Sequence, residues 1–191
     1  MQFEEKGERI KDLQLILQRV SFAATLFDDD GVDVRFMNQD PPANMTTGVR
    51  TEQQVEQLLS GHKFSGLTPM GGMLKRKVID DIFVRALRGG QMRKPLLVIT
   101  ITDGQPAGEP QNTVFDTVRE AVNEASRSRY GPGAIAFQFA QVGNDQQARE
   151  FLGRLDADPT VGSMVDCTSS EYIWSKITAP LLMPSRLRDR V

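Results

Sequence analysis

One segment constrains this chain more than any other: Leu96 to Thr102, LLVITIT, followed at once by Asp103-Gly104. It is continuous, rich in β-branched residues and free of charge. A strand of that kind is covered on both faces, as in a parallel sheet flanked by helices. The segments around it fit that setting. Glu8 to Phe27 repeats Ile10, Leu13, Ile16, Leu17, Val20, Ala24 and Phe27 at helical spacing. Val32 to Asn38 alternates apolar and polar residues like a half-buried strand. Gln39 to Arg50, with Pro41, Pro42 and Gly48, reads as loop or as loop with a short edge strand. Thr51 and Gln54 form a capping-box pair at the head of a short helix.

Thr68-Pro69 is expected to open a helix reaching Leu87, with Thr68 as N-cap and Leu74, Val78, Ile82 and Ala86 as its inward stripe. Gly89-Gly90 ends it. A helix over Thr113 to Arg129 turns Val114, Val118, Ala121, Val122 and Ala125 inward. Gly131-Pro132-Gly133 separates it from a strand, Ala134 to Val142. A helix from Gln146 to Leu155 and a last strand, Met164 to Cys167, complete the pattern. Strands alternating with helices predict an α/β fold: a doubly wound, mostly parallel sheet with helices on both faces.

Composition narrows the function. The chain has 191 residues, which suits one domain. Its 23 Lys+Arg against 25 Asp+Glu give a net charge of −2, without the basic excess of a dedicated nucleic-acid binder. No apolar run approaches the ~20 residues that span a bilayer, and Met1 to Ile10 has no signal-like apolar core. A single cysteine, Cys167, excludes an intrachain disulfide and a Cys-based zinc site. These features lead to an expectation of a cytoplasmic protein.

Asp103 stands where ligands gather in open α/β sheets, beyond the carboxyl end of the most apolar strand. There it can hold a hard cation, position a water or simply make an Asp-Gly turn. Thr68 can bind a cation or cap its helix. Gly66 and Gly71 have P-loop spacing, but Gly72-Met73 occupies the Lys-Ser/Thr place, so a P-loop is rejected. His62 is the only histidine and reads as a solvated loop residue. Cys167 reads as a small buried hydrophobe. Asp28-Asp29-Asp30 lacks calcium-loop spacing. The Arg186, Arg188, Arg190 tail reads as a flexible end.

Ser65-Gly66-Leu67-Thr68-Pro69-Met70-Gly71 and Leu97-Val98-Ile99-Thr100-Ile101-Thr102-Asp103-Gly104, with Tyr130-Gly131-Pro132 and Phe137 to Gly143, resemble the von Willebrand factor A domain family, in its fungal intracellular type. The resemblance implies a metal-ion-dependent adhesion site for Mg²⁺ or Mn²⁺, completed by an acidic side chain of a protein partner. Thr68 and Asp103 map onto two of its ligands, with Gly66, Gly71 and Gly104 letting the loops approach the ion. The family's Asp-x-Ser-x-Ser motif and the central strand before it are missing. The expectation is therefore an N-terminally incomplete domain over residues 1–167, with a tail over 168–191. Its metal site would be partial, weak or non-functional. This reading makes the chain an interaction module, not an enzyme. Two alternatives stay open: an α/β hydrolase or phosphotransfer enzyme using Asp103, and an incomplete domain with no autonomous function.

Overall fold

The computed structural model describes residues 7–26 and 29–168. The strand LLVITIT forms over its expected span, β1 (Leu96–Thr102). It pairs in parallel with β2 (Ile135–Gln141), which pairs in parallel with β3 (Val165–Thr168), giving the order β1-β2-β3. Among the described residues the protein is thus α/β with a three-stranded parallel sheet. Register sets Val98 beside Phe137 and Thr100 beside Phe139. Phe137 and Phe139 are among the largest fully buried side chains. Thr168, assigned by sequence to the tail, is a buried residue of β3.

Helices in chain order are α1 (Glu8–Thr25), α2 (Ala43–Thr46), α3 (Glu52–Ser60), α4 (Met70–Leu74), α5 (Arg85–Arg88), α6 (Thr113–Arg127) and α7 (Gln146–Asp156). The main core lies on one face of the sheet. There Val98, Ile135, Phe137 and Phe139 meet Ile79 and Phe83, Val114 and Val118 of α6, and Phe151 and Leu155 of α7. Side chains alternate along a strand, so Ala140 points to the other face. It packs there with Val142, Ile101 and, from α1, Ile16 and Val20.

Several expectations change. The segment 32–38 is not a strand. It makes one antiparallel bridge, Val32 to Val49, and a further bond from the Val34 N–H to the Thr46 carbonyl, 2.7 Å. Its partner segment then coils into α2, so no ladder can propagate. Among the described residues the second face of β1 is covered only in part: Ile101 packs against α1, while Leu97 on the same face is 61% exposed.

α4 continues through a π-helical stretch, Lys75–Val84, into α5. The wider i→i+5 turn rotates the buried face. Its buried apolar residues are Leu74, Ile79 and Phe83, in steps of five and four, rather than Leu74, Val78, Ile82 and Ala86. Thr68 is not the N-cap. Pro69 holds that place, with no side-chain cap, and the helix begins at Met70. Thr51 and Gln54 do form the reciprocal capping box. Phe27, Asp28 and the Arg186–Arg190 tail lie outside the described residues.

Candidate functional site

The carboxyl ends of β1 and β2, the loop after each, and the first turn of α1 converge at one edge of the sheet. The backbone is fixed first. Val142 donates to the Thr102 carbonyl at 2.8 Å, extending the β1–β2 pairing past Gln141. Thr102 is buried, and its hydroxyl donates to the Gly104 carbonyl at 2.8 Å. The chain therefore turns tightly around Asp103 and presents its carboxylate at the edge.

That carboxylate meets a cation from the protein itself. Arg9 Nη1 lies 3.4 Å from Asp103 Oδ2, with the two side chains 11% and 19% exposed. Arg9 runs over Gly143, whose φ is +74°. A Cβ at Gly143 would stand 2.5 Å from Arg9 Nε, so a bare backbone is needed for the arginine to pass. Sequence reading took α1 as an apolar stripe and missed Arg9. Its signal was position: a basic residue in a helix's first turn, where the helix dipole favours acids. Gln141, 1% exposed at the end of β2, donates through Nε2 to the Asp145 carbonyl at 2.7 Å. Its Oε1 has no hydrogen-bond partner among the described residues.

Thr68 approaches from the other side through its main chain. Its carbonyl accepts from Met70 at 2.8 Å and from Ala107 at 2.9 Å. The loop leaving Asp103 thus returns to Thr68, while the Asp103 carboxylate turns to Arg9. No hydrogen bond joins the Thr68 and Asp103 side chains among the described residues.

The capping role expected of Thr68 falls to Glu109, which sequence reading did not single out. Glu109 Oε1 accepts from the Gly71 N–H at 2.7 Å and Oε2 from the Gly72 N–H at 2.8 Å. A forked carboxylate there satisfies two amides that a helix start leaves without partners. Gly71 is needed for packing. A Cβ on it would lie 2.6 Å from the Thr113 carbonyl carbon and the Val114 nitrogen.

The donor set does not fit Mg²⁺ or Mn²⁺. These ions want about six oxygens in octahedral array. Among the described residues no group of three or more His, Cys, Asp or Glu side chains could hold a metal ion. The carboxylate best placed for one faces a guanidinium.

Two other sequence candidates lie away from this edge. His62 stacks on Phe36, with ring centroids 3.7 Å apart, and meets Phe64 edge-on at 4.7 Å. It belongs to an aromatic cluster and is not a free loop residue. Burial lowers its pKa, and nearby Asp40 partly opposes that. Cys167 is half-buried against the main core. Its thiol is pushed up to about 12, chiefly by burial and further by Asp156 and Asp166. It is a protonated packing residue, not a nucleophile.

Lys77 was also missed by sequence. Although 8% exposed, it donates to the Phe36 carbonyl and to both Asp40 oxygens at 2.8 Å, tying segment 36–40 to the π-helical stretch. No helix among the described residues is long and apolar enough to cross a membrane. No protein-family model matches the chain, and no curated protein or solved structure matches it either.

Proposed function

We propose that this chain is a von Willebrand factor A-like protein-interaction module whose adhesion edge carries a built-in cation, Arg9, in place of a metal ion. The observation that carries this reading is the Arg9–Asp103 pair at the carboxyl end of β1. A divalent ion in an adhesion site neutralises an acidic loop and draws a partner's carboxylate. A guanidinium neutralises the loop in the same way, because its planar fork matches carboxylate geometry and stays charged at all physiological pH. Doubly wound order, with β1 toward the middle of a larger sheet, belongs to the same proposal. The partner is a protein offering an acidic side chain.

Two measurements test it. Isothermal titration of Mg²⁺ and Mn²⁺ into the chain is expected to give a dissociation constant weaker than about 10⁻⁴ M, beyond the range of regulatory hard-cation sites. Tighter binding lost in Asp103→Asn would overturn the arginine assignment. A turnover screen with generic phosphoesters and esters is expected to be blank. Reproducible turnover abolished by Asp103→Asn would make the chain an enzyme instead.

A further inference from the structure

The end of the sheet opposite Asp103 gathers positive charge. β1 and β2 run parallel, so their amino ends share that end with the last turns of α5 and α6. Residues 85–94, RALRGGQMRK, bring Arg85, Arg88, Arg93 and Lys94 to it without an acid among them. Arg127 and Arg129 arrive from the end of α6. One bond joins the two stretches: Arg129 Nη2 donates to the Gly90 carbonyl at 2.9 Å. Gly90 makes room for it, since its φ is +65° and a Cβ there would stand 2.7 Å from that nitrogen. All six cations are exposed. The chain as a whole carries a net charge of −2, so this end stands against the average of the molecule.

The fold does not consume this charge. Carbonyls at the end of α5 are met by main-chain donors: the Gly89 N–H to Arg85 at 3.0 Å, Gly90 to Leu87 at 3.2 Å and Gln91 to Ala86 at 2.9 Å. At the end of α6 the Ser128 N–H and hydroxyl both donate to the Ala125 carbonyl. The arginines are therefore not needed as caps. The negative end of a helix draws cations to its last turn, which accounts for Arg85, Arg88 and Arg127. It does not account for Arg93, Lys94 and Arg129, which lie beyond the helices. Asp81 meets Arg85 at 3.3 Å, Glu124 meets Arg88 at 3.6 Å and Asp30 meets Lys94 at 2.9 Å. Pairs this exposed contribute little and give way readily to a better partner. Arg129 is held by neutral oxygens, the Gly90 carbonyl and the Tyr130 hydroxyl. Among the described residues neither Arg93 nor Arg127 has an ion-pair partner.

We infer that this end of the molecule docks a short acidic stretch of a partner polypeptide, whose Asp or Glu carboxylates are taken by Arg93 and Arg127 with Arg129 beside them. A guanidinium fork meets a carboxylate with two parallel bonds, and several forks on one surface select a run of acids over a single one. The borders of the patch set the length of that run. Asp30 flanks it beside Lys94, and Asp81 flanks it beside Arg85. A long uniform polyanion, such as a nucleic acid or an anionic membrane, would run past the arginines onto those carboxylates and be repelled. A short acidic segment ends before it reaches them. This surface lies at the far end of the strands from the Arg9–Asp103 pair, so it is separate from the adhesion edge proposed above.

The test uses a short fluorescein-labelled, acetylated peptide of alternating glutamate and serine. It is titrated into the full chain at low ionic strength and followed by anisotropy. Saturable binding that weakens as salt is added is expected. The same peptide with glutamine in place of glutamate should not bind. Arg93→Glu combined with Arg127→Glu should weaken binding by roughly tenfold or more, as the loss of charge-assisted contacts does. Lys63→Glu changes an exposed cation in the loop that leads to Thr68 at the other end, and should leave affinity unchanged. If the double variant does not fold, Arg93→Gln and Arg127→Gln decide singly, each by a weaker but measurable loss. The inference is overturned if the glutamate peptide does not bind, if the glutamine peptide binds equally well, or if the arginine variants bind like the parent. It is also overturned if Lys63→Glu weakens binding as much as the double variant, which would make the attraction a matter of net charge alone. A single-stranded oligonucleotide or anionic phospholipid vesicles that bind more tightly than the peptide, and lose binding in the arginine variants, would assign the surface to a polyanion and overturn it. Self-association of the parent that the arginine variants abolish would assign it to a second copy and overturn it too.

Discussion

The guanidinium of Arg9 stands 3.4 Å from the carboxylate of Asp103 and joins the first turn of α1 to the loop after β1. The two residues are 94 positions apart, so the contact closes the fold as well as setting the charge of its edge. Removing one partner of a fully buried pair costs ~3–5 kcal/mol, because the other charge is left uncompensated. Here both side chains keep some exposure, and water screens part of that cost. Arg9→Met and Asp103→Asn should each lower unfolding free energy by about 2 kcal/mol, below the fully buried case. The double variant should lose less than the sum. Urea denaturation of the four proteins checks this. Fully additive losses would show that the two residues do not interact.

Glu109 gives a second prediction. Its fork onto Gly71 and Gly72 supplies two charge-assisted bonds at the start of α4. Glu109→Ala should cost about 1.5–3 kcal/mol, the range for hydrogen bonds to a charged group. Glu109→Gln keeps one acceptor oxygen and loses the favourable charge at the helix start. It should fall between alanine and the parent. Thermal melting of the three proteins measures the order.

His62 predicts a pH dependence. Its folded pKa lies below the ordinary 6.5, because burial among Phe36 and Phe64 disfavours the charged ring, while Asp40 pulls weakly the other way. Between 6.5 and the lowered folded value, the unfolded chain binds more protons than the native one. Stability therefore rises with pH across that window. It is fully present above 6.5 and declines as pH falls toward the folded value. Below that value the loss levels off. Asp40 also accepts two bonds from Lys77, so it is held in place throughout. His62→Phe keeps the stack and cannot titrate. Its urea midpoint should be flatter than the parent's over this window, and an equal slope would place the titration elsewhere.

Local chemistry carried the legible part of the fold. LLVITIT became β1 because its β-branched, uncharged residues favour extended backbone in a pleated sheet. Thr51 and Gln54 sit three apart and bond each other within one turn. Val114, Val118, Ala121 and Ala125 keep a regular helical step and are all fully buried. What failed depends on distant partners. Val32 to Asn38 has the alternation of a strand, but a strand also needs a neighbour with open main-chain groups, and Thr46 and Val49 supply too few. Thr68 is a good cap by type, yet Glu109 reaches the helix start from 38 positions away. The inward stripe after Leu74 shifted by one because the π-helical turn is set by packing, which no spacing rule registers. At the candidate site Asp103 was legible from its place after the strand. Arg9 was not, since its role exists only once α1 and β1 are brought together.

Cys167 gives the last prediction. It lies beside Phe139 in the β2–β3 register, and its thiol is raised from the ordinary 9.0 to about 12. At pH 8 it is almost entirely the unreactive thiol, and the core shields it from one side. An aromatic disulfide reagent should therefore label it much more slowly than it labels the urea-unfolded chain. The rate should follow opening of β3, so mild urea that leaves the global fold intact should speed labelling only if β3 frays separately. Alkali adds a sign that distinguishes burial from simple steric cover. Above about pH 9 the unfolded chain loses its thiol proton while the native chain keeps it. The native state then binds more protons, and stability must fall as pH rises toward 12. Cys167→Ala removes that ionisation and should lose less stability than the parent between pH 8.5 and 10.5, roughly the lower half of the range in which the two states differ. Equal alkaline slopes in parent and variant, together with fast labelling of the native chain at pH 8, would place Cys167 in contact with water rather than against the core.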